Sequence, residues 1–169
     1  ETMKTTLGIG GPPNLWLEFD HTYKLNPAGW KTAVKTRQNS PDADCGVGLL
    51  VERDGNSVNV YAKVRFFNQL SGNYNLAVYV VESGMISSQT TPSGTDPNYE
   101  HNLVLRDEIA NGSAWGMPLF TGSSVDEYQV TIEYIPGPGI DLDNVKYVAV
   151  IYEMDATGKP VSSPNSNTK

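Results

Sequence analysis

The chain has little of the chemistry that redox and metal sites use. Its 169 residues include one cysteine, Cys45, and two histidines, His21 and His101. A single cysteine excludes an internal disulfide and any CxxC redox or zinc motif, and the three residues lack zinc-ligand spacing. Cys45 begins the apolar segment "CGVGLLV", so we interpret it as a small buried side chain. The sequence predicts no cofactor.

Positive charge and long apolar runs are also scarce. Twelve Lys and Arg face nineteen Asp and Glu, which gives a net charge of −7. Nucleic acids and anionic lipid surfaces are bound mainly through clusters of Lys and Arg, so the composition argues against both partners. No segment has the pattern of a signal peptide or a membrane span, so we expect no direct membrane span in this chain.

Helical patterns are weak, because sixteen glycines and eleven prolines interrupt the chain. Period-two alternation is strong instead. The segments "VNVYAKVRFF" (58–67) and "EYQVTIEY" (127–134) alternate apolar and polar residues, which is typical of half-buried strands. The segments "LAVYVV" (76–81) and "VKYVAVIYEM" (145–154) are apolar on both faces and predict central strands covered on both sides.

Turn residues separate these strands. The Asp-Gly of "RDGNS" (53–57) predicts a hairpin, and "QLSGNYN" (69–75) the next reversal, giving a three-stranded meander over 47–82. Weaker strands are expected at 14–20, 32–38 and 101–109. Seven or eight strands without intervening helices predict an antiparallel β-sandwich, immunoglobulin-like or, alternatively, a jelly roll.

The domain organisation is expected to be simple. One β-sandwich domain should cover residues 1–161, and a flexible C-terminal tail should cover 162–169, because that segment is polar and poor in apolar residues. Residues 83–100 are expected to form a long polar loop, and loops of this length are usually functional or disordered.

The segment "NYEHNLVLRDEIANGSAWG" (98–116) gathers residue types that catalytic sites use. On one continuous strand, however, His101 and Arg106 point to opposite faces and lie about 16 Å apart. Asp107 shares the face of His101 but lies about 20 Å away. The chain also has no GxSxG nucleophile motif. The sequence therefore predicts no catalytic residues and no enzyme.

Two Asp-x-Asp pairs could supply oxygen ligands for calcium: Asp42 with Asp44, and Asp141 with Asp143. The first lacks the glycine that an EF-hand loop needs at its sixth position, where Val47 stands. Aspartates are also common turn residues between strands. We interpret them as turn residues and predict no metal site.

A partner site is predicted at the 83–100 loop. Tyr99 would be a rigid aromatic anchor, with His101 beside it. Arg106 is expected to hold a carboxylate within the sheet. Trp115, in the loop 110–124, is expected to pack inward as a lid on the opposite end of the sandwich, because a strand of about nine residues separates the two loops.

Four segments together show a resemblance to a known family: "AGWKTAVKTRQ" (28–38), "GNYNLAVYVVESGMISSQ" (72–89), "NYEHNLVLRDEIANGSAWG" (98–116) and "GIDLDNVKYVAVIYEMDATGKPV" (139–161). Their order and spacing are similar to the C-terminal β-domain of the twenty-eight-kilodalton outer membrane protein family, lipoproteins of Bacteroidetes. The resemblance implies an exported protein of the outer membrane or periplasm, anchored through a cysteine upstream of Glu1. The resemblance also implies that longer relatives have a thioredoxin-like domain before the β-domain. The family has no established catalytic residues that could be assigned to positions of this chain.

These observations leave three hypotheses for function. The first is a non-enzymatic binding domain of a cell-envelope lipoprotein, with a protein or glycan partner. The second is a structural module that packs on an upstream domain. The third is a carbohydrate-active enzyme or a calcium-binding module.

Overall fold

The computed structural model describes residues 27–38, 43–123 and 127–168. Within these ranges the chain forms one helix and ten strands. They are α1 Pro27–Gln38, β1 Cys45–Asp54, β2 Ser57–Phe66, β3 Ser71–Glu82, β4 Met85–Thr91, β5 Gly94–His101, β6 Val104–Glu108, β7 Met117–Ser123, β8 Glu127–Tyr134, β9 Val145–Met154 and β10 Pro160–Thr168.

The strands form two packed sheets and a separate hairpin. One sheet has the order β1-β2-β8, and the other has the order β10-β9-β3, with β6 and β7 sharing the remaining edge of β3. β4 and β5 pair only with each other. Every pairing is antiparallel. The predicted all-β sandwich is therefore confirmed.

The main core lies between the two sheets, and the alternation in β2 explains it. Val58, Val60, Ala62, Val64 and Phe66 are all buried, as the period of two predicts. They pack against the inner face of β3 and β9 in one cluster. Burying a valine or phenylalanine side chain stabilises a fold by about 1.5–3 kcal/mol, so this stripe largely fixes the register of β2.

A second cluster covers the outer face of the five-stranded sheet. It contains Ala77, Tyr79, Trp115, Tyr152 and Met154. The residues come from β3, β9 and the segment that follows β6. This second cover explains why β3 and β9 are apolar on both faces, and it confirms that they are central strands.

The close approach of that segment to β3 requires a glycine. Gly116 has a φ of +70°, and a Cβ there would lie 2.1 Å from the carbonyl oxygen of Leu76. Residues with side chains avoid this backbone conformation, and no side chain fits the space. The backbone can therefore lie flat on the sheet beside Trp115.

The helix α1 contradicts the strand predicted at 32–38. Pro27 occupies the first helical position, where its missing N–H costs no hydrogen bond. Ala, Lys, Arg and Gln, which favour helices, outweigh the β-branched Thr and Val that suggested a strand. The strand predicted at 14–20 lies outside the described residues.

The predicted meander is half correct. β1 and β2 form the expected hairpin, with Gly55 at a φ of +60° in the turn. β3, however, does not pair with β2 but lies in the other sheet, between β9 and the pair β6 and β7. Because β3 is apolar on both faces, it is most stable at the centre of the covered five-stranded sheet.

Residues 83–100 form no irregular loop, contrary to expectation. Most of them belong to the hairpin of β4 and β5. The strand predicted at 101–109 is interrupted, because His101 ends β5, Leu103 has a φ of +55° and β6 begins at Val104. His101 and Arg106 therefore lie on two strands, and the single continuous strand on which they were predicted to point to opposite faces does not form.

Most of the segment 162–169, which the sequence predicts as a flexible tail, lies in a strand. Pro160–Thr168 form β10, which pairs with β9 through Thr168 and shifts register twice. Backbone hydrogen bonds to the neighbouring strand can hold a polar segment that has little apolar surface to bury.

Candidate functional site

The hairpin of β4 and β5, residues 85–101, is here named the arm. It connects β3 to β6 in the chain and pairs with no other strand of the described residues. Residues 86–90 and 94–100 are exposed on both faces of the hairpin. Ile86 and Tyr99 are its large exposed apolar side chains. The arm therefore presents two strand edges and two side-chain faces to solvent.

The two residues predicted to contact a partner lie together on the arm. Tyr99 and His101 are two positions apart on β5 and share one face, with ring centroids 4.8 Å apart in an edge-to-face contact. Tyr99 is 41% exposed. His101 is half-buried opposite Met85, and its Nε2 is shielded from solvent with no hydrogen-bond partner among the described residues. An aromatic surface backed by an imidazole suits contact with a partner.

Side-chain hydrogen bonds hold the base of the arm where the strands bend. The backbone N–H of Gly84 donates to Oδ1 of Asn102 at 3.1 Å. The N–H of Leu103 donates to Oγ of Ser83 at 3.1 Å. Gly84 and Leu103 both have positive φ, so the two strands change direction at the same level. The paired bends turn the arm away from the sheet without leaving these N–H groups unpaired.

A buried ion pair lies directly below this bend. The carboxylate of Glu82, which is 5% exposed, accepts a hydrogen bond from Nη1 of Arg106. Nη1 also lies 3.3 Å from Sδ of Met85, and Nη2 donates to the carbonyl of Gly139 at 3.0 Å. The N–H of Asp141 donates to Oε1 of Glu82 at 3.2 Å. The pair therefore fastens the end of β3, the arm and the 139–144 loop to one another.

The prediction that Arg106 holds a carboxylate within the sheet is confirmed. Its partner Glu82 was not predicted from the sequence. The available signal was its position, because Glu82 is the first charged residue after the apolar run of β3. A carboxylate at the end of a doubly covered strand needs a partner, since an unpaired buried charge is costly.

Asp141 behaves as the turn residue that the sequence predicts. Its Oδ1 accepts from the N–H of Asp143 at 3.0 Å, and its Oδ2 accepts from Nδ2 of Asn144 at 2.8 Å. Both carboxylate oxygens are therefore used within the turn. Across the described ranges, no group of three His, Cys, Asp or Glu side chains could hold a metal ion.

Trp115 packs inward, as predicted, but not as a lid on the end of the sandwich. It lies on the outer face of the five-stranded sheet, edge-to-face with Tyr152 at 5.5 Å between ring centroids. The hydroxyl of Tyr79 donates to the carbonyl of Ala114 at 2.6 Å and lies 3.0 Å from the hydroxyl of Tyr152. Burial raises the pKa of Tyr79 well above its usual range. These contacts hold the segment that follows β6 against the sheet, so the role of Trp115 is structural.

Taken together, the two packed sheets and the exposed arm define an all-β sandwich domain. In the part of the chain that the structure describes, no helix is long and apolar enough to cross a membrane. The chain belongs to the outer membrane protein Omp28 family, whose family model matches residues 13–163. It is therefore an outer membrane-associated protein of the cell envelope, and the resemblance seen in the sequence is confirmed.

One solved structure shows the same fold. HBP35 of Porphyromonas gingivalis superposes with a TM-score of 0.75 at 15% sequence identity, over 98% of this chain and 55% of that chain. A structural-genomics target from Agrobacterium tumefaciens gives a TM-score of 0.44 at 11% identity, over 98% of this chain and 65% of that chain. No curated protein matches the chain. The chain thus spans about half the length of HBP35, and that likeness shows the fold alone.

Proposed function

We propose that this chain is a non-enzymatic interaction domain of a cell-envelope lipoprotein, and that a protein partner docks on the arm. The observation that carries the proposal is the exposure of the arm on both faces. A two-stranded hairpin is at best marginally stable alone, and this one buries little apolar surface. Its base is nevertheless fastened by the ion pair of Glu82 and Arg106 and by the hydrogen bonds at the bend. Such support for an exposed element favours a role in contact.

The edges of the arm favour a protein partner over a glycan. Among the described residues β4 and β5 pair only with each other, so within that part of the chain each has an unpaired edge that could accept another strand. β5 contains Pro97, which lacks an N–H and blocks ladder formation. β4 contains no proline and is the better edge for an added strand. Tyr99 lies opposite Ser87 of β4 and could contact a side chain of the added strand.

The lipid anchor is part of the same proposal. The family resemblance implies an anchor cysteine upstream of Glu1. Cys45 is fully buried, and burial raises the pKa of its thiol to about 11. A thiolate is the reactive form of cysteine, so Cys45 is unsuited to acylation. Metabolic labelling with palmitate should therefore label the native protein but not depend on Cys45.

The docking site can be tested with a photo-crosslinking amino acid at position 99 in envelope extracts. The same amino acid at Leu50, which is exposed on the three-stranded sheet, is the control. We expect specific adducts from position 99 only, and we expect protease treatment of the extract to abolish them. Adducts that survive protease but not periodate would identify a glycan instead. Equal crosslinking from both positions would contradict the proposal.

Matched tyrosine variants then measure the contribution of the anchor. Tyr99→Ala should weaken binding of the captured partner about fivefold or more, as for an interface anchor. Tyr61→Ala is the control, because Tyr61 is similarly exposed (36%) but lies on β2. Neither change should alter the melting temperature strongly. Equal binding by the two variants would exclude Tyr99 as the anchor.

A structural module remains the second candidate, because this chain covers only 55% of the HBP35 chain. If the arm packs on another domain of a longer protein, that protein should melt as one unit. Position 99 should then be protected from crosslinking to other molecules. Independent melting of the sandwich domain would favour the interaction domain.

A further inference from the structure

A small cavity opens at the same end of the sandwich as the arm. Its volume is about 200 Å³. Residues of β1 and β2 line one side, and the 139–144 loop and β9 line the other. The lining consists of Val51, Arg53, Val58, Leu142, Val145 and Tyr147.

Most of the wall is apolar. Val51, Val58, Leu142 and Val145 belong to the main core or pack against it. An apolar cavity of about 150 Å³ is enough to bind a molecule as large as benzene. This cavity therefore has room for an aliphatic group of about six carbons.

Two polar residues, Arg53 and Tyr147, also line the cavity. Tyr147 is 5% exposed, and its hydroxyl has no hydrogen-bond partner among the residues that the structure describes. Burial raises the pKa of Tyr147, and the positive charge of Arg53 acts in the opposite direction. The hydroxyl therefore stays protonated at neutral pH and lies within the field of the guanidinium. A buried hydroxyl without a partner is costly, so the site favours a ligand that accepts a hydrogen bond from it.

The guanidinium of Arg53 can exchange its present carboxylate partner for one on a ligand. Its Nε donates to the carbonyl of Gly55 at 3.0 Å, and its Nη1 donates to Oδ1 of Asp143 at 2.6 Å. The side chains of Arg53 and Asp143 are 47% and 81% exposed. Exposed ion pairs are weak, so another carboxylate can replace Asp143 at small cost.

We propose that this cavity binds a small aliphatic monocarboxylate. The carboxylate accepts hydrogen bonds from Arg53 and from the hydroxyl of Tyr147. The hydrocarbon chain, of about six carbons, lies against the valines and Leu142. A planar guanidinium beside a hydroxyl donor suits a carboxylate, whereas the apolar wall disfavours a second charge at the far end of the ligand.

Three probes of equal chain length test the ligand class on the complete chain. Hexanoate, hexan-1-ol and hexylamine are titrated separately by calorimetry and by thermal denaturation. We expect saturable binding of hexanoate with a rise in melting temperature, weaker binding of hexanol and none of hexylamine. Absence of saturable hexanoate binding, or equal binding of hexanoate and hexylamine, would overturn the proposal.

Variants at the mouth of the cavity test the residues. Arg53→Gln should weaken hexanoate binding about tenfold or more, whereas Arg65→Gln, on the exposed face of β2, should not change it. Asp143→Asn should strengthen binding about twofold to fivefold, because it removes the competing carboxylate. A gain of affinity cannot arise from misfolding. Unchanged binding in both Arg53→Gln and Asp143→Asn would overturn the assignment.

The role of the buried hydroxyl has its own test. Tyr147→Phe keeps the ring that packs in the core and removes only the hydroxyl. It should weaken hexanoate binding and reduce the difference in affinity between hexanoate and hexanol. An unchanged preference for hexanoate would remove Tyr147 from the site.

Discussion

Arg106→Met should strongly lower the free energy of unfolding of this fold. The substitution keeps most of the apolar length of the side chain and removes the guanidinium. Glu82 then keeps the N–H of Asp141 as a donor but loses its positive partner while 95% buried. Breaking a buried ion pair by removing one partner costs about 3–5 kcal/mol.

That loss is large relative to the whole stability of a domain, which is about 5–15 kcal/mol. The variant also loses the hydrogen bond from Arg106 to the carbonyl of Gly139 and the contact with Met85. Urea denaturation followed by tryptophan fluorescence should show a lower midpoint with an unchanged dependence on urea. Hydrogen exchange should accelerate first at the arm and in the 139–144 loop, because the ion pair fastens both.

Two controls separate this effect from a general loss of charge. Lys63→Met breaks the ion pair of Lys63 with Glu127 on the exposed face, and it should leave the free energy of unfolding almost unchanged. The double variant Glu82→Leu with Arg106→Met should recover at least half of the loss, since apolar pairs often replace buried ion pairs without cost. If Arg106→Met costs no more than Lys63→Met, or the double variant is no more stable than the single one, the reasoning is refuted.

Three further predictions follow from the core and the turns. Trp115→Ala should lower the free energy of unfolding by about 3–5 kcal/mol in urea denaturation, whereas Tyr99→Ala should change it little. Burial raises the pKa of Cys45 to about 11 from 9.0. The contribution of the buried thiol to stability is therefore complete below pH 9 and lost as the pH rises towards 11. Over that interval Cys45→Ala should lose less stability than the native protein. Calcium or zinc should not raise the melting temperature by several degrees, because we predict no metal site and only a metal that binds the native state would raise it.

The strands were predictable because alternation is a local property. In β2 the side chains that must be buried follow a period of two, and all five of them are in the core. The partners of β3 were not predictable in the same way. The apolar residues on both faces of β3 indicate that both faces are buried. They do not specify which strands pair with β3, and these are β9, β6 and β7 rather than β2. Strand pairing depends on residues far away in the sequence.

The arm could not be recognised from hydrophobic periodicity. A hairpin that is exposed on both faces has no buried side to repeat, so "MISSQTT" and "GTDPNYEH" resemble loop sequences. Tyr99 and His101 were nevertheless predicted to contact a partner, from the length of the expected 83–100 loop and from the aromatic side chain of Tyr99 at its end. Glu82 was missed because its partner Arg106 lies 24 residues away, on a different strand.

The arm and the cavity share the 139–144 loop, but they hold different parts of it. Gly139 and Asp141 are bound to the buried pair of Arg106 and Glu82, whereas Asp143 is bound to the exposed Arg53. A carboxylate that replaces Asp143 would therefore release the loop only at its weakly held end. Hexanoate should leave hydrogen exchange in the arm unchanged, and Tyr99→Ala should leave hexanoate binding unchanged. Partner docking on the arm and carboxylate binding in the cavity can thus be tested independently, although the two sites lie at the same end of the sandwich.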